Sequence, residues 1–338
     1  MRPVCDIFIN GVPVSGLFRD RVVACVVSDR EGLSSDSLSV ELTDDPPAQI
    51  PSLGDVISCR MGYGADLVDM GQYIVDGVDV FALPGKLRLT ATAADLTGKV
   101  KNHVQRNWDN ASISQIVGDI ATDLGLESKV APEIGGFLYS WIGMIGESPM
   151  HFLERLAGRH GALFSIKGRT LVFAIRGAGI APGGAPLTPT VIGPGDIVPG
   201  SLMFRTSSRG SYGKVVASYM DRSGAARKDV SFEIDPENAS VFRIDQPLAS
   251  EGEAYRAARS KADELRRSLL EVRCTIVGRP TARAGAPIVF AGCRVGMDGR
   301  EFILSGAEHR FGKDGYTTDL TGTVKPVALA AQDEVTTI

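Results

Sequence analysis

At 338 residues, with 43% apolar and 22% charged side chains, the chain has material for two or three cores rather than one. A net charge of −4, from 36 Lys and Arg against 40 Asp and Glu, argues against a protein whose main task is to neutralise phosphate. No secretory pattern follows Met1 and no run approaches the ~18 apolar residues of a membrane helix, so synthesis and folding in the cytosol are expected, with no membrane segment.

Ile7 to Val14 places Asn10-Gly11 between apolar residues, which predicts an opening hairpin because both turn residues tolerate positive φ. Strands are expected over 21–28 and 36–43, the second alternating Leu38, Val40 and Leu42 with polar residues, until Asp44-Asp45-Pro46-Pro47 ends the ladder. From Gly54 the chain reads GDVISCRMGYGADLVDMGQYIVDGVDVF, a strand pair, and the strand Lys86 to Ala93 follows. After Asp95 the period changes to 3.6. Ile113, Ile116, Val117, Ile120, Ala121 and Leu124 form one helical face that Gly125 can terminate. Ser148-Pro149 caps a second helix, which buries Phe152, Leu153, Leu156 and Ala157 and ends by Gly161. A hairpin over 162–166 and 170–175 closes this part.

Residues 177–200, GAGIAPGGAPLTPTVIGPGDIVPG, hold too much Gly and Pro for a regular element and read as a linker. Strands return over 201–207, 214–219 and 228–234, with a turn at Arg222-Ser223-Gly224. Ser250 and Glu253 form a capping box at the head of the longest helix, 251–270, whose face of Ala254, Ala257, Ala258, Leu265 and Leu269 predicts close packing on a sheet. Strands over 271–277, 287–291, 300–305 and 317–324 complete the fold, and 326–338 reads as a flexible tail.

The stretch from Gly285, GAPIVFAGCRVGMDGREFILSGAEHRF, repeats the order of parts seen from Gly54. QYIVDGVDV from Gln72 aligns with EFILSGAEH from Glu301, each with one internal glycine of the kind that marks a bulge or a barrel corner. Each copy also carries Cys-Arg-apolar-Gly. The expected fold is therefore mainly β with an α+β insert: two tube-type antiparallel β-barrels, 1–96 and 201–325, joined by a small α/β domain at 97–176 and the linker at 177–200.

Chemistry is sparse. Glu147, His151 and Glu154 share one stripe only if their helix starts before Pro149, and the pattern is not His-Glu-x-x-His. His309 is expected to make a cross-strand polar contact. Cys5, Cys25, Cys59, Cys274 and Cys293 are scattered without Cys-x-x-Cys spacing and read as buried strand residues in a reducing compartment. Gly177-Ala178-Gly179 lacks phosphate-binding spacing, and Asp44-Asp45 reads as a solvated turn. No catalytic, cofactor-binding or metal-ligating residue is assigned, and no cofactor is expected.

The order barrel, insert, barrel resembles the phage late control D family. The C-terminal run carries the likeness further: Gly278-Arg279-Pro280, Asp298-Gly299, Phe302-Ile303-Leu304, His309 and Gly315-Tyr316-Thr317-Thr318. The segment Trp108 to Leu126 adds to it, and the likeness spans about residues 4–325. It implies a structural, non-enzymatic baseplate hub of a contractile phage tail, similar to the hub half of the valine-glycine repeat proteins of type VI secretion. The implied assembly is a homotrimer whose six barrels make a pseudo-sixfold ring between the hexameric tail tube and a trimeric central spike. The implied partners are the tail tube protein, the spike protein, other baseplate or wedge proteins and the tape measure protein, within the virion and without specific nucleic-acid binding. Two other readings remain open at this stage. A wall hydrolase needs converging carboxylates, and a carbohydrate-binding module needs aromatic platforms, for which Trp108, Tyr139 and Trp141 are the nearby residues.

Overall fold

The computed structural model describes residues 2–13, 21–32, 36–47, 49–93, 104–167, 170–179, 187–208, 211–221 and 224–325. The segment expected to form a tail, 326–338, lies outside the described residues, as do positions 222 and 223 of the expected turn. The first part contains seven strands: β1 (Pro3–Ile9), β2 (Val12–Pro13), β3 (Val22–Arg30), β4 (Ser37–Thr43), β5 (Val56–Tyr63), β6 (Asp66–Ala82) and β7 (Gly85–Thr92). The middle part runs β8 (Val104–Ser112), α1 (Ile113–Asp123), β9 (Glu127–Val130), α2 (Pro132–Gly135), β10 (Leu138–Glu147), α3 (Pro149–Arg159), β11 (Ala162–Lys167) and β12 (Thr170–Ile175). The last part runs β13 (Thr190–Ile192), β14 (Met203–Thr206), β15 (Lys214–Asp221), β16 (Ala226–Glu233), β17 (Val241–Arg243), α4 (Glu251–Arg267), β18 (Leu270–Val277), β19 (Pro287–Phe290), β20 (Glu301–Gly312) and β21 (Gly315–Val324).

The protein is mainly β. One sheet of thirteen strands runs through both ends of the chain in the order β14-β18-β21-β20-β3-β4-β7-β6-β5-β1-β2, with β19 on β20 and β13 on β19. No strand pairing closes either half into a barrel among the described residues. The first half nevertheless curls on itself: β3 and β5 are separated by β4, β7 and β6 along the sheet, yet the Cys25 and Cys59 sulfurs stand 3.8 Å apart. The period-2 burial of β4 follows from its sequence, with Leu38, Val40 and Leu42 inward.

Local signals place the helices. Ser112 caps α1 by accepting from the Gln115 amide, Ser148 caps α3 by accepting from the His151 amide, and Pro149 stands at the first helical position. Ser250 accepts from the Glu253 amide at 3.3 Å, while the Glu253 carboxylate reaches back to the Ala249 amide at 3.1 Å, one residue before the box predicted. At Asn10-Gly11 both residues hold positive φ, as the hairpin turn requires.

Three expectations are corrected. The segment 177–200 is not featureless, because Thr190–Ile192 pairs in parallel with Ile288–Phe290 and Pro194–Asp196 forms a 3-10 turn. The strands expected at 214–219 and 228–234 form a separate sheet, β16-β15-β17, which packs on the alanine face of α4 in its own core. The middle part has, besides its helices, a two-stranded ribbon of β8 and β10 over Trp108, Ile142 and Met144, whose weak alternation in sequence hides it.

Candidate functional site

The repeated hairpin is where the sequence concentrates its signal, and the structure repeats it in detail. Gly54 donates to the Val75 carbonyl and Val75 donates to the Asp55 carbonyl, both at 2.9 Å. In the second copy Gly285 donates to the Leu304 carbonyl at 2.7 Å, and Leu304 donates to the Ala286 carbonyl at 3.0 Å. Gly54 and Gly285 hold φ of 92° and 83°, where a Cβ is strained. The next register shift falls between Val75 and Gly77 in β6 and between Leu304 and Gly306 in β20, so both internal glycines mark bulges. The Cys-Arg-apolar-Gly match does not survive. Cys59 sits inside β5, whereas Cys293 follows the end of β19, because the register that pairs Ile57 with Tyr73 and Ile288 with Phe302 puts Phe290 at the place of Cys59.

The pairing extends outward from the hairpins. β4, β7 and β6 of the first copy have the neighbour order of β18, β21 and β20 in the second, which makes β3 the counterpart of β14. Within the chain, the second copy meets the first through β20 and β3, from Gly306 opposite Arg30 to Gly312 opposite Ala24. Ser28 donates to the Glu308 carboxylate at 3.0 Å across this seam, the Ala284 amide donates to Asp29 at 3.1 Å, and Arg283 donates to the Asp69 carbonyl at 2.9 Å.

His309 stands at the centre of the seam, opposite Val27 and fully buried. Its Nε2 donates to the Ala282 carbonyl at 3.1 Å, so Nδ1 is the acceptor for Tyr316 Oη at 3.0 Å and Thr318 Oγ1 at 3.2 Å. Burial, with the nearby Arg283 charge, lowers its pKa from 6.5 to about 4, so the ring is neutral at pH 7. Tyr316 packs into the core of the first half from the second, which makes this residue group a rivet between the copies.

The seam leaves two edges unmatched. The equivalent of the β20 segment 306–312 is the end of β6, from Gly77 to Ala82, which pairs with β7 on one side and with no strand on the other among the described residues. The equivalent of β3 is β14, which pairs only with β18 among the described residues. Both edges expose apolar side chains: Val80 at 51%, Phe81 at 44% and Met203 at 45% of their full surface. Carried over residue for residue, the seam register sets Asp79 opposite Arg205, Val80 opposite Phe204 and Phe81 opposite Met203. The charges are opposite and the apolar residues meet.

The residues weighed for chemistry lie elsewhere. α3 starts at Pro149, so Glu147 is off the helix; its carboxylate takes the Arg155 guanidinium at 2.5 Å and lies 3.3 Å from His151, while Glu154 is exposed. Trp108 and Tyr139 are buried, the latter bonded to His160 at 2.6 Å, and of the three aromatic residues only Trp141 faces out. A cavity of about 610 Å³ between the middle part and α4 is lined by Arg176, Arg256, Arg259 and Arg267, by the acids Glu133, Glu251 and Asp263, and by His160 and Ser260; the Ser260 hydroxyl donates to the Gly158 carbonyl at 2.6 Å and His160 Nε2 is bonded to the Tyr139 hydroxyl. Sequence spacing gives no hint that Cys5, Cys25 and Cys59 meet; their shared inward parity on β1, β3 and β5 is the available signal.

The model of the phage tail baseplate hub (GPD) family matches residues 65–315. A curated relative, the probable baseplate hub protein of Escherichia phage 186, is 24% identical over 366 aligned positions that cover 96% of this chain and 94% of the relative. Among solved structures, the 43 kDa tail protein of prophage MuSo2 from Shewanella oneidensis is 14% identical with a TM-score of 0.69, covering 95% of this chain and 98% of that one. An Escherichia coli protein described as a component of the type VI secretion system, similar to T4 tail proteins gp27 and gp5, is 12% identical with a TM-score of 0.58, covering 95% of this chain and 77% of that one.

Proposed function

The chain belongs to the phage tail baseplate hub family, and from that premise we propose that three copies close into a pseudo-sixfold ring that adapts a hexameric tail tube to a trimeric central spike. One observation carries the reading: the chain joins its two modules by an edge-to-edge seam, and the two edges that would repeat the same seam with the next copy pair with no strand among the described residues. A head-to-tail interface of this kind closes when its rotation is a whole fraction of a turn. Two modules per chain then give six similar faces from three chains. The modules are tube-type barrels in this reading, residues 1–96 and 201–325, the second with the sheet of residues 214–243 and α4 as an outgrowth beside it, with 97–176 as an insert and 177–200 as a connector whose Thr190–Ile192 joins the second module's sheet.

The role is structural. The ring seats the tail tube protein on one face and the spike protein on the other, with other baseplate proteins and the tape measure protein as further contacts in the virion. No cofactor takes part in this reading; Glu147 is tied to Arg155, and with Trp108 and Tyr139 buried a carbohydrate-binding platform is left with Trp141 alone of the three aromatic residues.

A charge-reversal cycle tests the interface. Asp79→Arg sets two cations opposite each other, and Arg205→Asp sets two anions; each single change is expected to shift the trimer to monomer in native mass spectrometry, by roughly 1–3 kcal/mol per interface. The double change restores opposite charges and the trimer. Equal masses for all four proteins would remove the proposed register.

A further inference from the structure

Cys5, Cys25 and Cys59 come from three strands, β1, β3 and β5, and their sulfurs meet in the core of the first module. Cys5 and Cys59 are 3.7 Å apart, Cys25 and Cys59 are 3.8 Å apart, and all three sulfurs lie within 4.8 Å of one another. We propose that these three cysteines form a binding site for a soft monovalent cation, with copper(I) as the ion whose chemistry the site fits. The proposal is independent of the ring.

Geometry argues first. An ion bonded to three sulfurs at about 2.3 Å needs them roughly 3.8–4.0 Å apart; Cys25 and Cys59 at 3.8 Å meet this, and Cys5 and Cys59 at 3.7 Å need to part only slightly. Ligand type argues second, since thiolates select copper(I) and zinc over harder ions. Coordination number separates those two: structural zinc takes four ligands, and no further Cys, His, Asp or Glu joins this group among the described residues. Loading balances as an exchange of protons for metal: three sulfur–hydrogen bonds break, three copper–sulfur bonds form, three protons leave to solvent, and the site gains a net charge of −2. The copper–sulfur bonds have to offset the burial of that charge in a core of Ile7, Val27, Ile57 and Met61, so retention strengthens as pH rises. An ion here would tie together strands that are not all neighbours in the sheet.

All three residues are buried, so loading belongs to folding. The experiment unfolds the full chain, refolds it without oxygen in the presence of the copper(I)–bicinchoninate complex, and measures the copper retained after gel filtration. The expected result is one copper per chain, with three sulfur neighbours by X-ray absorption. Cys25→Val, which fills the same space, is expected to retain at least tenfold less, while Cys274→Val in the other module retains the full amount. Cys5→Ala serves as a second variant, and circular dichroism establishes that each protein has refolded. A refolded wild-type chain that leaves all copper with bicinchoninate overturns the proposal, as does equal retention by the Cys25→Val and Cys274→Val proteins.

Discussion

Acidifying the isolated chain tests the rivet at the seam. His309 is held neutral with a pKa of about 4 against 6.5 for a free imidazole. A depressed pKa means that the unfolded chain binds the proton first, so the contribution is complete above about pH 6.5 and is lost as pH falls toward 4. At 1.36 kcal/mol per pH unit, the loss between pH 8 and pH 5 is about 2 kcal/mol for this one residue. His160, lowered to about 4 chiefly by burial, adds a similar amount in the middle part. Carboxylates change over the same range, so the informative quantity is a difference between proteins. His309→Asn cannot titrate. Urea denaturation of the variant is expected to show a pH 8 to pH 5 loss about 2 kcal/mol smaller than that of the wild type, although the variant is less stable at pH 8. The same pH dependence in both proteins would refute the assignment of a buried neutral His309.

Three further outcomes follow from packing. A Cβ on Gly278 would lie 2.2 Å from the Tyr316 ring, so Gly278→Ala should push Tyr316 off His309 and cost about 1–3 kcal/mol in denaturant titration. Arg159 pairs with the deeply buried Glu253 at 2.6 Å, joining α3 to α4, and Arg159→Ala leaves that carboxylate unpaired; a loss of about 3–5 kcal/mol is expected, and a calorimetric midpoint equal to wild type would exclude it. Gly54→Ala and Gly285→Ala place a side chain at positive φ in equivalent turns, and should each lower stability by about 1 kcal/mol in urea titration, the two effects matching because the turns do.

Much of this fold is legible in local signals, because they act where local physics decides. Asn10-Gly11, Ser112, Ser148-Pro149 and Ser250 each fix a turn or a helix start through a backbone group that only a few residue types satisfy. The internal glycines Gly77 and Gly306 announce bulges for the same reason. What stays hidden depends on distant partners. Local alternation ends β20 at Ser305, yet the strand continues to Gly312 because β3, more than 270 residues earlier in the chain, supplies its other edge. Thr190-Val191-Ile192 is β-branched throughout, but three residues set among Gly and Pro are too few to announce a strand; pairing with β19 makes them one. The Cys-Arg-apolar-Gly likeness misleads because letters match where the ladder does not. A cross-strand contact for His309 is readable from the repeat, which aligns EFILSGAEH with QYIVDGVDV, but its place between two modules comes only with the seam.

The most direct test of the ring is a covalent one. Phe81→Cys and Met203→Cys, made together in a chain whose part-exposed Cys293 is changed to Ser, put one thiol on each free edge at positions the seam register sets opposite each other. After mild oxidation at high protein concentration, denaturing non-reducing mass measurement is predicted to find a species of three chains that returns to one chain on reduction, and neither single-cysteine protein should form it. A doubly substituted chain that stays at the mass of one copy under the same oxidation would contradict the ring.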